Sequence, residues 1–385
     1  MKNLKDYGIE MWDKAKIISF RKTLLNWYDL EKRDLPWRRT KNPYHIWISE
    51  IMLQQTQVVT VIPYYERFLE WFPKIDDLAN ADEERLLKAW EGLGYYSRVR
   101  NMQAAAKQIM TEFNGVFPSH YHSILSLKGI GPYTAGAIAS IAFDLPEPAV
   151  DGNVMRVIAR LFEVNADIGD PKNRGIFQEI MTILIDPDRP GDFNQALMDL
   201  GTDIESAKNP RPEESPIRAF NAAYLHQTYD KYPIKLPKKK PKTLYFQAFV
   251  IQNEKNEFLL EKNTSGRLLG GFWSFPLIEQ SIEPQQLNLF NTEKTVEQPR
   301  LMSQEKNFER NYQYQPKWTS SQFEVVKHTF SHQKWHIRLK EGFVKNSDHL
   351  TSENITWVKI KDLEKFPLAT PQKKMMATYF NENKN

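Results

Sequence analysis

Apolar residues in the first 230 positions recur at helical spacing, and no long alternating strand pattern interrupts them. The apolar residues of one segment recur at helical spacing and predict one helix, namely Ile17, Phe20, Leu24, Leu25 and Tyr28. Asn42 followed by Pro43 is typical of a helix start and predicts a second helix that runs through Gln55. Further helices are predicted over Glu83–Trp90, Val99–Phe113, Tyr121–Leu127, Ala135–Phe143, Val154–Leu161 and Phe177–Leu184. The first part of the chain is therefore expected to be all-α.

The pattern changes at residues 231–243, which are rich in proline and lysine and predict a semi-extended linker. This linker is expected to be a solvated spacer, although it could also lie along DNA. Beyond it, the pattern predicts strands over Leu244–Ile251, Phe258–Glu261, Phe323–Phe330, Lys334–Leu339 and Ile355–Lys359, a turn at Asn253–Asn256 and a closing helix over Pro371–Phe380. Residues 279–318 are polar and glutamine-rich and are expected to include a long loop. The predicted fold is multidomain, with an all-α domain at 1–230 followed by an α+β domain at 244–385.

Composition narrows the class of protein without identifying it. The 385 residues are enough for two or three domains, and the net charge of +4 gives only a faint indication of a nucleic-acid partner. The chain contains no cysteine, which excludes disulfides, thiolate zinc sites, cysteine-ligated iron–sulfur clusters and a cysteine nucleophile. The N-terminus has no apolar signal core, and no stretch of about 18 apolar residues occurs. We therefore expect a soluble cytoplasmic protein without membrane contact, associated with the nucleoid if it is bacterial.

The segment Leu125–Gly136 is typical of a helix-hairpin-helix. Gly129 and Gly131 flank one apolar residue and allow a tight turn with close backbone approach, and Pro132 suits the start of the second helix. The free N–H groups at that helix start can hold a DNA phosphate without reading a base. A bare Gly-x-Gly also occurs in ordinary helix–helix turns, but the match over the whole segment favours binding of the DNA backbone.

Two carboxylates are candidates for chemistry on the pattern alone. Glu50 lies in an otherwise apolar helix, where a glutamate is costly unless it is paired or works as an acid, although its spacing also allows it to face solvent. The polar run Gln54–Thr56 follows that helix and suits the probing of an opened base pair. Asp151 precedes a helical run, which is typical of an N-cap, and one residue could serve both as a cap and in catalysis.

Five motifs in combination give the chain a specific resemblance to one family. They are LPWR at Leu35–Arg38, SEIMLQQTQV at Ser49–Val58, GLGYYSRVRN at Gly92–Asn101, the hairpin, and VDGNV at Val150–Val154. Together they resemble the MutY-type adenine DNA glycosylases of the helix-hairpin-helix glycosylase superfamily, over nearly the whole first domain. The resemblance implies a hydrolase of base-excision repair that flips adenine out of duplex DNA and removes it where it is mispaired with 8-oxoguanine or guanine.

The resemblance also implies roles for individual residues. Glu50 matches the general acid that protonates adenine at N7 and then assists water, Asp151 matches the carboxylate that stabilises the oxocarbenium-like sugar, and Asn153 matches a residue that holds the water and that carboxylate in place. This division makes chemical sense because adenine leaves poorly until it is protonated, and its loss puts positive charge on the deoxyribose. The implied DNA contacts are Gln55, Thr56, Leu93, Tyr95, Gly129 and Gly131, and the implied adenine pocket is Arg33 and Trp37.

Tyr133 bears on the type of reaction. In bifunctional relatives such as endonuclease III, the matching position holds a lysine that attacks the sugar, and a tyrosine cannot form that Schiff base. The sequence therefore predicts a monofunctional glycosylase that leaves an abasic site, since the alternative nucleophile Lys128 belongs to the hairpin. Relatives also bind a monovalent cation through hairpin carbonyls, which match those of Leu125, Leu127 and Ile130.

The largest departure from the family lies in residues 199–221. Most members carry four cysteines there, spaced C-x6-C-x2-C-x5-C, which ligate a [4Fe–4S] cluster. The matching positions in this chain are Glu205, Pro212, Ser215 and Asn221. Proline offers no ligand, and the remaining oxygens would make an irregular metal site. We expect a cluster-free member that requires no cofactor, in which packing and hydrogen bonds replace the cluster.

The second domain resembles the family's C-terminal module, a Nudix-like fold that recognises 8-oxoguanine. Its glycine-rich start matches Gly266–Pro276, and its short contact motif matches Phe330, Ser331 and His332, which could otherwise be a simple strand-end turn. A Nudix hydrolase would continue with a glutamate-rich REUxEExGU box, but Ile278–Phe290 contains no such box. Hydrolysis of nucleotides by this domain is therefore not expected.

The resulting hypothesis is a monomeric, adenine-specific DNA N-glycosylase whose partner is duplex DNA with adenine:8-oxoguanine mispairs. A thymine or uracil mismatch glycosylase could use the same scaffold, but the second domain and the helix of Glu50 argue against it. A non-catalytic binder of DNA lesions is an alternative of a different class, because the hairpin alone would bind DNA. The presence of both Glu50 and Asp151 argues against that alternative.

Overall fold

The computed structural model describes residues 4–237, 240–264, 268–280, 304–345 and 353–382. The chain divides into two compact units. The first comprises Met1–Ala81 and Ser97–Lys238, and the second comprises Asp82–Tyr96 and Lys239–Asn385. Within the described residues, no helix is both long enough and apolar enough to cross a membrane.

Helices make up the first unit in its described residues. In chain order, the helices before residue 238 are α1 (Lys14–Glu31), α2 (Pro43–Leu53), α3 (Val58–Trp71), α4 (Ile75–Asn80), α5 (Glu83–Ala89, which belongs to the second unit), α6 (Ser97–Glu112), α7 (Tyr121–Leu125), α8 (Pro132–Phe143), α9 (Gly152–Leu161), α10 (Arg174–Leu184), α11 (Pro190–Thr202) and α12 (Ala222–Leu225). Short 3-10 turns cover Leu4–Tyr7, Pro36–Arg38, Pro171–Asn173, Pro212–Glu214, Arg218–Phe220 and Tyr229–Lys231. The predicted all-α class of this region is confirmed.

Hydrogen bonds with identifiable side chains define both ends of helix α2. Asn42 caps its start by accepting a hydrogen bond from a backbone N–H of the first turn at 3.0 Å, as the Asn-Pro pair indicates. At the other end, Arg98 donates to three carbonyls at 2.7–3.2 Å, and Gln55 has a φ of +59°. The helix therefore ends at Leu53 rather than at the predicted Gln55, because a guanidinium takes the last carbonyls.

The sequence pattern does not predict helices α3, α4 and α11. Helix α3 contains Pro63, which lacks a backbone donor and interrupts the usual helical signal. Helix α11 begins with Pro190 at its first position, where proline is well tolerated. Both helices bury large side chains, including Phe68 and Phe193. Tertiary packing therefore stabilises helices that the local signal leaves uncertain.

A core formed by α1, α9, α10 and α11 supports the site in the first unit. Phe20, Phe177 and Phe193 are fully buried there, and the rings of Phe20 and Phe193 meet edge to face at 6.0 Å. Every residue of α9 from Val154 to Leu161 is buried. A helix enclosed in this way has a fixed position, and Asp151 at its N-terminus is fixed with it.

The second unit contains a mixed sheet of eight strands in its described residues. The strands are β1 (Lys242–Asn253), β2 (Glu257–Lys262), β3 (Trp273–Ser274), β4 (Leu277–Gln280), β5 (Lys317–Trp318), β6 (Val326–Thr329), β7 (Gln333–Val344) and β8 (Ile355–Lys359). Their order is β3-β2-β1-β7-β5, with β4 paired to β1, β6 to β7 and β8 to β2. Strands β1 and β7 are parallel and the other pairs are antiparallel. With helices α13 (Gln304–Tyr312) and α14 (Thr370–Glu382) and a 3-10 turn at Ile360–Lys365, the sheet confirms the predicted α+β class.

Helix α13 lies within residues 279–318, where the polar composition predicts a long loop. Its buried side chains are Phe308 and Tyr312, and the Phe308 ring packs 4.8 Å from the ring of Phe249 on β1. Residues 304–312 are therefore helical, because two aromatic positions four apart suffice to bury one face of a short helix. Several sequence-based expectations lie outside the described residues, namely those on Lys238, Lys239, Gly266, Arg267 and residues 281–303.

Residues Asp82–Tyr96 belong to the second unit although they precede the linker in sequence. Lys88 donates to the carbonyl of Glu364 at 2.6 Å, and Glu84 accepts from Lys262 at 2.9 Å. The ring of Tyr96 packs 4.1 Å from that of Phe272. The segment that carries helix α5 and part of the GLGYYSRVRN motif is therefore tied to the sheet-containing unit.

Candidate active site

A cavity of about 990 Å³ opens in the first unit between α2, the hairpin, the start of α9 and α11. It brings together most of the residues that the sequence assigns to a site in this unit. The assigned residues that line it are Arg33, Trp37, Glu50, Gln55, Thr56, Gly131, Tyr133, Asp151 and Asn153. Residues that are far apart in the sequence therefore converge on one concave surface of a size that suits a nucleoside.

Glu50 is buried on helix α2, so the alternative of a solvent-facing glutamate is wrong. The Tyr133 hydroxyl donates to its Oε2 at 2.6 Å. Burial raises the pKa of Glu50 to about 7, and the nearby carboxylate of Asp151 acts in the same direction, while Tyr133 and Arg38 oppose the rise. Near neutral pH the protonated and ionised forms of Glu50 are therefore both well populated. A group that first donates and then accepts a proton needs this property.

Asp151 is both the N-cap of α9 and part of the cavity wall. Its Oδ1 accepts from the backbone N–H groups of Asn153 at 2.9 Å and Val154 at 2.7 Å. Its Oδ2 accepts from Asn153 Nδ2 at 2.8 Å. Burial raises the pKa of Asp151, and these three hydrogen bonds oppose the rise. The cap thus fixes the orientation of a carboxylate that faces the cavity.

Arg156 fixes the amide of Asn153 in turn, a role that the sequence analysis missed. Its Nη2 donates to Asn153 Oδ1 at 2.7 Å and to the carbonyl of Gly201, and its Nε donates to the carbonyl of Glu205 at 2.8 Å. With the amide oxygen held by a guanidinium, the amide nitrogen faces Asp151. The only sequence signal for this contact is the three-residue spacing from Asn153 to Arg156, which places both on one face of α9.

Two arginines and one aspartate form another wall of the cavity. Arg38 binds Asp199 through both Nη atoms, at 2.7 and 3.0 Å, and Arg33 forms a second ion pair with the same carboxylate. Trp37 lies beside them with its ring edge to face against Tyr65 at 5.4 Å. The sequence motifs predict Arg33 and Trp37 as pocket residues, but they predict no site role for Arg38 or Asp199.

The hairpin between α7 and α8 has the backbone geometry that its glycines predict. Gly129 has a φ of +78°, and a Cβ there would meet Cβ of Asn101 at 2.6 Å. A Cβ on Gly131, the N-cap of α8, would meet nothing within 4 Å, so the space above the helix start is open.

Lys128 in this hairpin does not line the cavity, whereas Tyr133 does. Leu125 ends α7, and the carbonyl of Leu127 accepts from the Ile130 backbone N–H at 3.1 Å.

The remaining assigned residues lie in the second unit. Leu93 is buried there, and Tyr95 is 44% exposed with a φ of +48° in a turn that also contains two glycines with positive φ. The Tyr95 hydroxyl forms a hydrogen bond with the Ser331 hydroxyl. Phe330, Ser331 and His332 form the tight connection from β6 to β7, closed by the Phe330 backbone N–H on the carbonyl of Gln333 at 2.7 Å. The motif is therefore a strand-end turn whose serine meets Tyr95.

A buried ion pair occupies the first of the four positions where relatives carry cluster ligands. Glu205 is fully buried and accepts from Arg160 Nη1 at 2.9 Å, from Asn221 Nδ2 at 3.3 Å and from the Tyr229 hydroxyl. The Arg160 guanidinium also lies 4.1 Å from the centre of the Tyr229 ring.

The other positions provide no suitable ligand either. Pro212 begins a 3-10 turn, Asn221 caps α12, and the Ser215 hydroxyl is buried without a hydrogen-bond partner among the described residues. In the described residues, no group of three or more histidine, aspartate or glutamate side chains is arranged to hold a metal ion. This donor set does not fit a [4Fe–4S] cluster, which is bound by thiolates.

Comparison with protein families gives two matches. Residues 48–182 match the model of the HhH-GPD superfamily of base excision DNA repair proteins, and residues 247–378 match that of the NUDIX domain. A solved structure of a thermostable thymine-DNA glycosylase is 27% identical, with a TM-score of 0.50, and covers 55% of this chain and 98% of its own length. The first match includes Glu50 and Asp151.

Curated proteins extend the similarity to almost the full chain. The adenine DNA glycosylase of Buchnera aphidicola subsp. Schizaphis graminum is 32% identical over 368 residues, which cover 94% of this chain and 99% of that protein. The adenine DNA glycosylase of Arabidopsis thaliana is 38% identical over 308 residues, and that of Mus musculus is 44% identical over 224 residues. The matches span 49% of the plant protein and 43% of the mouse protein, so this chain covers less than half the length of those relatives.

Proposed function

Because the chain belongs to the adenine DNA glycosylase family, as its motifs predict, we propose that it hydrolyses the N-glycosidic bond of adenine opposite 8-oxoguanine or guanine in duplex DNA. The observation that carries the proposal is that two carboxylates, buried Glu50 and half-buried Asp151, line one cavity. Only a base flipped out of the duplex could reach either of them.

Glu50 is the general acid in this proposal. Its pKa of about 7 leaves a large share of the carboxyl groups protonated at neutral pH, so that one can protonate adenine at N7. Once it has given up the proton, the carboxylate can accept a proton from the attacking water. The Tyr133 hydroxyl holds Oε2 by a hydrogen bond throughout, since burial raises the pKa of Tyr133 well above its ordinary value and keeps it a donor.

Asp151 stabilises the sugar. As adenine leaves, positive charge develops on the deoxyribose, and a fixed carboxylate close by lowers the energy of that transition state. Three hydrogen bonds hold Asp151 before the substrate arrives, so little reorganisation is needed during the reaction. Asn153, itself held by Arg156, keeps the carboxylate and the attacking water in place.

The reaction is monofunctional in this proposal. Tyr133 stands where bifunctional relatives have a lysine, and its hydroxyl cannot form an imine with the sugar. Borohydride added during turnover should trap no covalent enzyme–DNA complex, because reduction captures only a Schiff base. Appearance of such a complex would contradict the monofunctional reaction.

The other assigned residues complete the proposal. Gln55, Thr56, Leu93 and Tyr95 contact the opened duplex, Gly129 and Gly131 hold the DNA backbone, and the carbonyls of Leu125, Leu127 and Ile130 bind a monovalent cation. Phe330, Ser331 and His332 contact 8-oxoguanine. The protein acts as a monomer and requires no iron–sulfur cluster, which iron analysis of active enzyme would test.

A single-turnover assay tests the activity directly. Wild-type protein should release adenine from an adenine:8-oxoguanine duplex, whereas Glu50→Gln should bind the same duplex and release none. Glu214→Gln, on an exposed carboxylate outside the cavity, is the matched control. Equal rates for wild type and Glu50→Gln would eliminate Glu50 as the acid. Preferred release of thymine from a guanine:thymine duplex would favour the activity named for the thermostable relative instead.

A further inference from the structure

Asp199 is the carboxylate on which two of the arginines that line the cavity, Arg33 and Arg38, converge. It receives a two-point ion pair from Arg38, at 2.7 and 3.0 Å, and a further one from Arg33. The side chain of Asp199 is 7% exposed and that of Arg38 is 12% exposed, so water screens this contact poorly. A paired guanidinium in such surroundings is held far more firmly than one on the surface.

Arg38 lines the same cavity as Glu50, and its positive charge lowers the pKa of Glu50. The charged and titratable groups that influence Glu50 come from three directions: Tyr133 on α8, Asp151 at the start of α9 and Arg38 from the turn before α2. Tyr133 and Arg38 favour the ionised form of Glu50, whereas Asp151 favours the protonated form. A guanidinium released from its own partner would favour the ionised form more strongly, because its charge would no longer be balanced.

We infer that Asp199 is a positioning residue for the acid: by binding Arg38 it keeps the positive charge of that guanidinium away from Glu50, which can then carry the proton that adenine needs. The inference rests on the proposed function, since it concerns the acid of that reaction. Asp199 itself need not touch the substrate or the reacting atoms. It sets the pH range in which the cavity works.

Opposite substitutions within the ion pair should move Glu50 in opposite directions. Asp199→Asn keeps the size of the side chain but removes the balancing charge, so Arg38 should stabilise ionised Glu50 and lower its pKa. Arg38→Gln removes the cation, so the pKa of Glu50 should rise. A general loss of packing would not lower the pKa of Glu50 in Asp199→Asn and raise it in Arg38→Gln.

The first measurement is the single-turnover rate of adenine release between pH 5 and pH 9. A fall of one unit in the pKa of Glu50 reduces its protonated fraction about tenfold at pH values above both pKa values, and hardly at all below them. Asp199→Asn should therefore lose about tenfold more rate at pH 8.5 than at pH 5.5. The double variant Asp199→Asn/Arg38→Gln should recover the wild-type shape of the profile, whatever its absolute rate.

The second measurement needs no activity. The glutamate carboxyl carbons of the free protein can be titrated by 13C NMR, with Glu50→Gln identifying the Glu50 signal. The pKa of Glu50 is expected to be lowest in Asp199→Asn, intermediate in wild type and highest in Arg38→Gln. Asp192→Asn, which removes a partner of Arg189 on the same helix, is the matched control and should leave the titration unchanged.

The outcomes separate the inference from the proposed function. An unchanged Glu50 titration in folded Asp199→Asn would overturn the inference, even if wild type releases adenine and Arg38→Gln shifts the titration. A shifted titration in a protein that releases no adenine would overturn the proposed function and leave the link between Asp199 and Glu50 standing. If Asp199→Asn does not fold, as circular dichroism would show, Arg38→Gln still decides, because an unmoved pKa in that variant contradicts the inference.

Discussion

At the scale of the residue, the cavity depends on contacts that residue type alone does not reveal. Glu50 and Asp151 are predictable from the sequence, because a glutamate in an apolar helix and an aspartate before a helix are each recognisable patterns. The burial of Glu50 and the ion pair between Arg38 and Asp199 are not predictable in this way. The ion pair joins residues 161 positions apart, so it forms only because the fold brings Asp199 on α11 to the turn that precedes α2.

The raised pKa of Glu50 predicts a specific dependence of stability on pH. The protonated form is favoured in the folded state, so the contribution of Glu50 to the free energy of unfolding should be highest below pH 4.5 and should fall as the pH rises towards 7. A shift from 4.5 to about 7 corresponds to a loss of up to about 3 kcal/mol from this residue. Urea unfolding at several pH values should show that loss in wild type.

Replacement by glutamine provides the control for this dependence. Glu50→Gln cannot ionise, so its stability should change less with pH and should exceed that of wild type above pH 7. Glu214→Gln, at a side chain 60% exposed, should follow the wild-type curve. Parallel curves for wild type and Glu50→Gln would show that the folded state does not favour the protonated acid.

At the scale of the element, strong periodicity predicts the helices that carry the site, and tertiary contacts decide the rest. Helices α1, α2, α8 and α9 follow from apolar spacing and caps. Helix α13 does not, because its two buried aromatic residues are a weak signal in a polar segment. The end of α2 is set by Arg98, which lies more than forty residues away, so the local sequence does not determine it.

Substitutions at Gly136 on α8 and at Gly131, its N-cap, should separate folding from DNA binding. A Cβ on Gly136 would lie 2.1 Å from the carbonyl oxygen of Pro148, so Gly136→Ala must push α8 away from the segment that leads to Asp151. We expect a loss of about 3 kcal/mol or more, at the upper end for overpacking. Gly131→Ala meets no atom within 4 Å and should keep its stability, but should weaken DNA binding by covering the helix start.

Thermal unfolding and fluorescence anisotropy with a labelled duplex measure these two effects. A stable Gly136→Ala variant would mean that α8 and the Pro148 segment are not in close contact. Unchanged DNA affinity in Gly131→Ala would mean that the hairpin does not hold the backbone at this point.

The ion pair of Glu205 should contribute strongly to the stability of residues 199–221. Glu205→Ala leaves the guanidinium of Arg160 buried without its charge partner, and breaking a buried pair in this way costs about 3–5 kcal/mol. Glu214→Ala breaks an exposed pair with Arg211 in the same region and should cost less than about 1 kcal/mol. Urea unfolding measures the free energy of unfolding of both variants. Equal losses in the two variants would contradict a strong contribution of Glu205 to stability.

At the scale of the whole molecule, the sequence predicts an all-α region followed by an α+β region, and both classes are confirmed. It does not predict that Asp82–Tyr96 belongs to the second unit, because ion pairs such as that of Glu84 with Lys262 leave no periodic signal. This segment places Tyr95 beside Ser331, although the two residues are 236 positions apart. A residue assigned to the opened duplex and one assigned to 8-oxoguanine therefore share a hydrogen bond.

This contact makes the turn from β6 to β7 a place to test recognition of the partner base. Replacing Ser331 and His332 with alanine should narrow the preference for adenine opposite 8-oxoguanine over adenine opposite guanine, because polar contacts to the oxidised base are lost. Rates on the two duplexes, measured side by side, give the ratio. Lys327→Ala, at an exposed position of β6, is the matched control. An unchanged ratio in the double variant would dismiss a role for the turn.

The polar network around Glu205 has a consequence for the conditions under which the protein can fold. A carboxylate, a guanidinium, an amide and a phenol hold this region together, and none of them depends on the supply of a metal or on a reducing environment. Mild oxidants leave these groups intact, whereas iron–sulfur clusters respond to their redox surroundings. We therefore expect the region to stay folded in iron-starved and in peroxide-treated cells. Oxidising conditions also generate 8-oxoguanine, so the structure would persist when its proposed substrate is most abundant.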